Sequence, residues 1–135
     1  MVRKLNVWCQ MQILKKNFMS KNMLDTWLNY VSNQDLESVV SLYAHDAVLL
    51  GTYSNTLSAG HDQIKSYFID FLSKRPKASL VESITHHLSD NLLMVNGFYN
   101  FNIKNSDTVA ARFTFVFKTQ EDTFKIISHH SSIMP

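Results

Sequence analysis

The chain has 135 residues, enough for one domain with a core of its own. Apolar content of 45% against 18% charged residues excludes a disordered chain, and no apolar run approaches the roughly 18 residues of a transmembrane span. The formal charge of +2 is unevenly spread: residues 1–19 carry four bases (Arg3, Lys4, Lys15, Lys16) and no acid, leaving nine bases against eleven acids in the rest. A body so balanced carries no electrostatic footprint for nucleic acid, and no membrane partner is expected. Cys9 is the single cysteine, so no intrachain disulfide can form. The compartment then leans to the cytoplasm.

Val7, Met11, Leu14 and Phe18 fall on one helical stripe. Gln10 and Gln12 interrupt that segment and no clear small-residue cleavage site follows, which makes a poor secretory signal. An added helix or upstream extension is preferred to a presequence. Residues 1–21 are therefore expected to be an extension, and residues 22–135 a single domain. Leu24, Trp27, Leu28 and Val31 recur at helical spacing, as do Leu36, Val39, Val40 and Tyr43. Asn33 is a candidate N-cap between them, with Asp35 and Glu37 in the first turn of the second helix. Ala47 to Leu50 reads as a brief strand, and Gly51 to Gly60 as a polar loop. Ile64, Tyr67, Phe68, Phe71 and Leu72 mark a third, strongly amphipathic helix that ends before Pro76. Four strand-like runs follow, roughly 79–88, 92–104, 108–118 and 123–132, separated by short polar turns. Helices followed by a meander predict an α+β fold, with helices on one face of an antiparallel sheet.

Successive side chains on a strand point to opposite faces. The end of the last strand, His129-His130-Ser131-Ser132, therefore sends one His and one Ser each way. Parity alone does not choose the inward pair, although Phe124 and Ile126 tilt the choice to His130 and Ser132. Arg112 stands between Ala111 and Phe113 in the most apolar part of the chain. It faces either solvent or the interior, where it would need an anionic ligand or other partner. If Phe113, Phe115 and Phe117 face outward, a partner subunit must cover them and Arg112 turns inward, toward the His129–Ser132 strand end, which is the expected arrangement. If they face inward they are core. Tyr67 is either a core aromatic or a pocket phenol. His86-His87 and His129-His130 are adjacent pairs whose rings point apart, so neither pair chelates an ion by itself. No metal or other cofactor is expected. No nucleophile elbow or phosphate-cradling glycine loop is present in the sequence.

Several segments carry a family resemblance. They are Trp27, the helix 35–44, Asp46-Ala47-Val48-Leu49-Leu50-Gly51-Thr52, Ile64-Lys65-Ser66-Tyr67-Phe68 with Phe71-Leu72, Ala111-Arg112-Phe113-Thr114-Phe115-Val116, and the terminal His129-His130-Ser131-Ser132-Ile133-Met134-Pro135. In this order they resemble the association-domain family of calcium/calmodulin-dependent protein kinase II, within the nuclear transport factor two-like (SnoaL-like) superfamily. The resemblance covers about residues 23–135. It implies a strongly curved antiparallel sheet closed by helices into a cone-shaped pocket, and homo-oligomers formed through the outer face of the sheet. It extends to iota-class carbonic anhydrases, some of which are similar enough to imply hydration of carbon dioxide without a metal. In that likeness Thr52, Tyr67 and Ser131 or Ser132 would hold bicarbonate. Arg112, His129 or His130 would add charge stabilisation or proton transfer. A non-catalytic oligomerisation or small-ligand-binding module is the alternative. Gly51 stands where family members usually carry Pro, which is expected to loosen the loop presenting Thr52. Family members also usually carry an acid after the final Pro, and none follows Pro135 here.

Overall fold

A computed structural model describes residues 6–135; Arg3 and Lys4 lie outside the described residues. Three helices and six strands follow in the order α1 (Val7–Ser32), α2 (Leu36–Ser41), β1 (Tyr43–Leu50), β2 (Leu57–Ala59), α3 (Gly60–Ser73), β3 (Lys77–Ser89), β4 (Leu92–Asn102), β5 (Thr108–Gln120) and β6 (Thr123–Ile133). The strands form one sheet in the order β2-β1-β6-β5-β4-β3. The expected meander occupies β3 to β6, and the β1–β6 pair is parallel. The fold is the predicted α+β arrangement, a curved sheet with the helices on one face.

Local chemistry explains the helix boundaries. The side chain of Asn6 caps α1 by accepting from the Cys9 amide at 2.8 Å. The helix then runs unbroken through the expected boundary near residue 21. Asn33 caps its C-terminal end instead of starting α2, and Gln34 takes the left-handed conformation with φ 53°. Asp35 is the N-cap of α2, accepting from the Ser38 amide. Tyr43, expected at the end of a helix, opens β1 instead. The loop after Gly51 also contains the short edge strand β2, which has too few residues to show a periodicity.

The core lies between the helices and the inner face of the sheet. Leu24, Trp27, Leu28 and Val31 of α1 and Ile64, Phe68, Phe71 and Leu72 of α3 are buried against Leu93, Val95, Tyr99, Phe101, Phe113, Phe115 and Phe117. The Phe residues of β5 are thus plain core, not the partner-covered outer face. Energetics decide that choice. Burying each Phe is worth about 1.5–3 kcal/mol, whereas an unpaired guanidinium in the interior costs several. Gly97 contributes to the shape of the sheet, since a Cβ there would lie 2.1 Å from the Glu82 carbonyl oxygen. Glycine lets the backbone of β3 close onto β4 beside an irregularity in register between Leu80 and Glu82. The stripe Val7, Met11, Leu14 and Phe18 is exposed and takes no part in this core.

Candidate functional site

Among the described residues, buried polar side chains are few: Thr52, Ser58, His129 and Ser131. Three of them meet. The hydroxyls of Thr52 and Ser131 are 2.5 Å apart. Tyr99 donates to Ser131 Oγ at 2.5 Å and stands 3.2 Å from His129 Nε2. The other ring nitrogen, His129 Nδ1, lies 2.7 Å from the Tyr43 hydroxyl, which accepts from Trp27 Nε1 at 3.1 Å. Tyr67 joins from α3 by donating to the Thr52 backbone carbonyl at 2.9 Å.

Each component is placed by an element already described. Thr52 follows β1, where the chain turns away from the sheet. Ser131 and His129 lie on β6, opposite Phe113 and Phe115 of β5. Tyr99 lies on the inner face of β4, stacked on the Trp27 indole with centroids 5.5 Å apart. Gly51 is required by this packing, because a Cβ there would lie 2.3 Å from Tyr67 Cε2. The Tyr67 ring thus occupies the space that a side chain at position 51 would take. Thr52 is 2% exposed, so the loop is held tightly, contrary to the loosening expected from Gly51.

The expected division of the terminal motif is corrected by one residue. Phe117 pairs with Ile126 but Val116 pairs with Ser128, so Ile127 is an extra residue in β6. This β-bulge reverses the alternation beyond it. His129 and Ser131, not His130 and Ser132, therefore share the inner face with Phe124 and Ile126. Arg112 is also corrected: it lies on the exposed face, where its Nε donates to Ser132 Oγ at 3.2 Å. Arg112, His130 and Ser132 line an outer hollow of about 490 Å³ together with Glu82 and Phe98. Thr52, Tyr67, Ser131 and His129 are brought together; Arg112, His130 and Ser132 stand across the sheet from them. Sequence reasoning missed Tyr43 and Tyr99 as members. The available signal was chemical, since a Tyr buried among apolar residues needs a partner for its hydroxyl.

The inner cluster is uncharged near neutral pH. Burial, with a smaller contribution from His130, lowers the His129 pKa to about 3. Burial also raises Tyr43, Tyr99 and Tyr67 above the ordinary phenol range, which keeps all three protonated. Among the described residues, no three His, Cys, Asp or Glu side chains gather closely enough to hold a metal ion. Two clefts reach Thr52. One, of about 590 Å³, is lined by Leu50, Asn55, Ser131 and Ile133, and also by His130 and Ser132 at its outer edge. The second, of about 710 Å³, lies between the loop and α3 and includes Tyr67 and Asp70.

Burial of a neutral imidazole sets the sign of an acid sensitivity. Between pH 6.5 and 3 the unfolded chain protonates this His and the native one does not, so its contribution to stability is complete above the unfolded pKa and falls as pH drops through that window. From pH 7 to pH 5 the loss attributable to His129 is expected to be about 2 kcal/mol. Urea unfolding of wild type and His129→Gln at both pH values measures it. An equal pH dependence in the two proteins would contradict the assignment.

Comparisons with known proteins agree with this architecture. The calcium/calmodulin dependent protein kinase II association domain matches residues 19–135. A Xanthomonas campestris protein of known structure, described as a candidate association domain of the same kind, is 36% identical, with a TM-score of 0.82 over 86% of each chain. A protein from Pseudomonas putida, described as like nuclear transport factor two and of unknown function, has a TM-score of 0.76 at 14% identity over 87% of each chain. A ketosteroid isomerase-like protein from Erwinia carotovora atroseptica has a TM-score of 0.72 at 13% identity, over 87% of this chain and 95% of its own. These last two likenesses concern the fold alone. No curated protein sequence matches the chain. Among the described residues no helix is long and apolar enough to cross a membrane. The match over residues 19–135, together with the Xanthomonas likeness, makes the chain a member of the calcium/calmodulin-dependent protein kinase II association-domain family.

Proposed function

We propose that this chain is a homo-oligomer whose inner hydroxyl cluster binds a bicarbonate-sized oxyacid and hydrates carbon dioxide without a metal. The observation that carries this reading is the buried Thr52–Ser131 hydroxyl pair, flanked by Tyr99 and Tyr67. Neutral O–H groups fixed in an apolar surround stabilise charge that develops on a carboxylate oxygen. In the proposed reaction the oxygen of water bonds to the carbon of carbon dioxide, and one C=O electron pair moves onto the oxygen held by the Thr52 hydroxyl. The proton lost by water passes to the bulk buffer. His129, with its pKa lowered to about 3, is too weak a base to take it near neutrality. The product leaves readily because neutral donors alone hold it. Arg112 has no part in this chemistry, being on the opposite face of the sheet.

Stopped-flow hydration of carbon dioxide by chelator-treated protein tests the proposal. Wild type is expected to exceed the uncatalysed rate. Thr52→Val should lose about tenfold or more, while Arg112→Met should retain the activity. A wild-type rate no higher than buffer alone refutes the catalytic part.

A second reading, association without catalysis, is favoured by a separate observation. The outer face of the sheet exposes Ile84 at 60% and Phe98 at 38% beside the hollow that contains Glu82 and Arg112. An apolar patch with a charged rim is suited to burial against a second copy of the chain, and the family of association domains supports the same role. Light scattering is expected to give a dimer or larger assembly, which Phe98→Asp should weaken. A monomer at every accessible concentration would remove the assembly role.

A further inference from the structure

The inner hydrogen bonds form a single file, and its direction is set at one end. The Trp27 indole N–H is a donor only. It donates to the Tyr43 oxygen, so the Tyr43 hydrogen must find another acceptor. Tyr43 is 1% exposed, and its remaining partner is His129 Nδ1. A neutral imidazole that accepts at Nδ1 carries its proton at Nε2. That N–H then donates to Tyr99, whose own hydrogen goes to Ser131 Oγ. Ser131 accepts from Tyr99; either hydroxyl of the Thr52–Ser131 pair could donate to the other, and because Thr52 lines both clefts and Ser131 one, the Ser131 hydrogen is assigned to Thr52 Oγ1 and that of Thr52 to the cleft. Among the bonds of the described residues nothing further accepts from Thr52 Oγ1. The opposite direction would leave the Tyr43 hydrogen buried and unpaired beside Trp27, at a cost of roughly 1–3 kcal/mol.

We infer that Tyr43, whose oxygen accepts from Trp27 and whose hydrogen has His129 Nδ1 to bond, fixes the polarity of this six-residue chain, so that Thr52 presents its O–H to the ligand and the ligand atom it meets must be an acceptor. The inference rests on the proposed binding site at Thr52 and narrows its ligand class. Carbonyl, carboxylate and carbon dioxide oxygens qualify; ammonium and guanidinium groups do not. Tyr43 is a positioning residue. It is buried at 1% exposure and acts through three intervening side chains, His129, Tyr99 and Ser131. Its ring contributes to the core, but only its hydroxyl carries direction.

Nitrogen-15 NMR of the imidazole rings in the full chain tests this directly. Wild type is expected to hold His129 in one tautomer, with the proton on Nε2. In Tyr43→Phe both directions become accessible, because either tautomer then leaves His129 Nδ1 without its partner. The second tautomer should appear, and apparent bicarbonate affinity should fall about twofold if half the molecules offer the donor. A lost core contact alone would not move the proton between ring nitrogens. An Nδ1–H tautomer in wild type overturns the inference without recourse to any variant. A single Nε2–H tautomer surviving in folded Tyr43→Phe removes Tyr43 from the role. Bicarbonate titration of wild type, followed in the same spectra, separates the two claims. The Nε2–H tautomer with no bicarbonate binding upholds the polarity and refutes the proposed ligand. Bicarbonate binding with an Nδ1–H tautomer upholds the site and refutes the polarity.

Discussion

Trp27 and His129 bind the helical layer to the sheet through a ring contact between them and a polar link carried by the Tyr43 hydroxyl. The Trp27 ring stacks on Tyr99 and meets Phe68, Phe101, Phe115 and His129 edge-on. Its N–H enters the hydrogen-bonded file that ends at Thr52. His129 lies flat on Phe115 with centroids 3.8 Å apart, and both its nitrogens are engaged. An imidazole this deep is tolerable only when neutral and fully partnered. The core can therefore hold a polar line across its centre, and among the described residues no buried side-chain polar atom is left without a partner.

The fold was legible in the sequence because its strongest signals are periodic. The stripes of Leu24 to Val31 and Ile64 to Leu72, and the alternation in β4 and β5, each correspond to a buried face. The direction of the terminal motif was not legible. Parity counted along β6 is correct up to Ile126 and reversed after the bulge at Ile127, and a bulge leaves no mark in the order of apolar and polar residues. The same count, carried onto β5 from the wrong premise, turned Arg112 inward. Tyr43 was assigned to a helix because it continues the spacing of Leu36, Val39 and Val40. Three-dimensional pairing with β6 opens β1 at that residue instead.

Placement of Arg112 outside changes the chemistry that the interior offers. An inward guanidinium would have made a strong anion trap. Neutral donors make a weaker anion trap, in keeping with the proposed ligand, which would gain charge only during reaction. The Gly51–Tyr67 contact shapes the same site. With no side chain at position 51, the phenol lies against the backbone and spends its hydrogen on the Thr52 carbonyl. Tyr67 thereby steadies the loop, while Tyr99 is the phenol bonded to Ser131. The outer face carries Arg112, and its His130 and Ser132 also border the cleft that reaches Thr52. One sheet thus has a neutral hydroxyl site on its helical side and a charged, partly apolar surface on its open side.

The central claim is that a small oxyacid binds on the helical side of the sheet, at Thr52 and Ser131. The most direct measurement is a crystal structure of the protein soaked in bicarbonate at neutral pH. Density for a trigonal anion within hydrogen-bond distance of the Thr52 hydroxyl is the predicted result. An unaltered Thr52–Ser131 pair, with the anion bound instead to Arg112 in the outer hollow, would contradict the account.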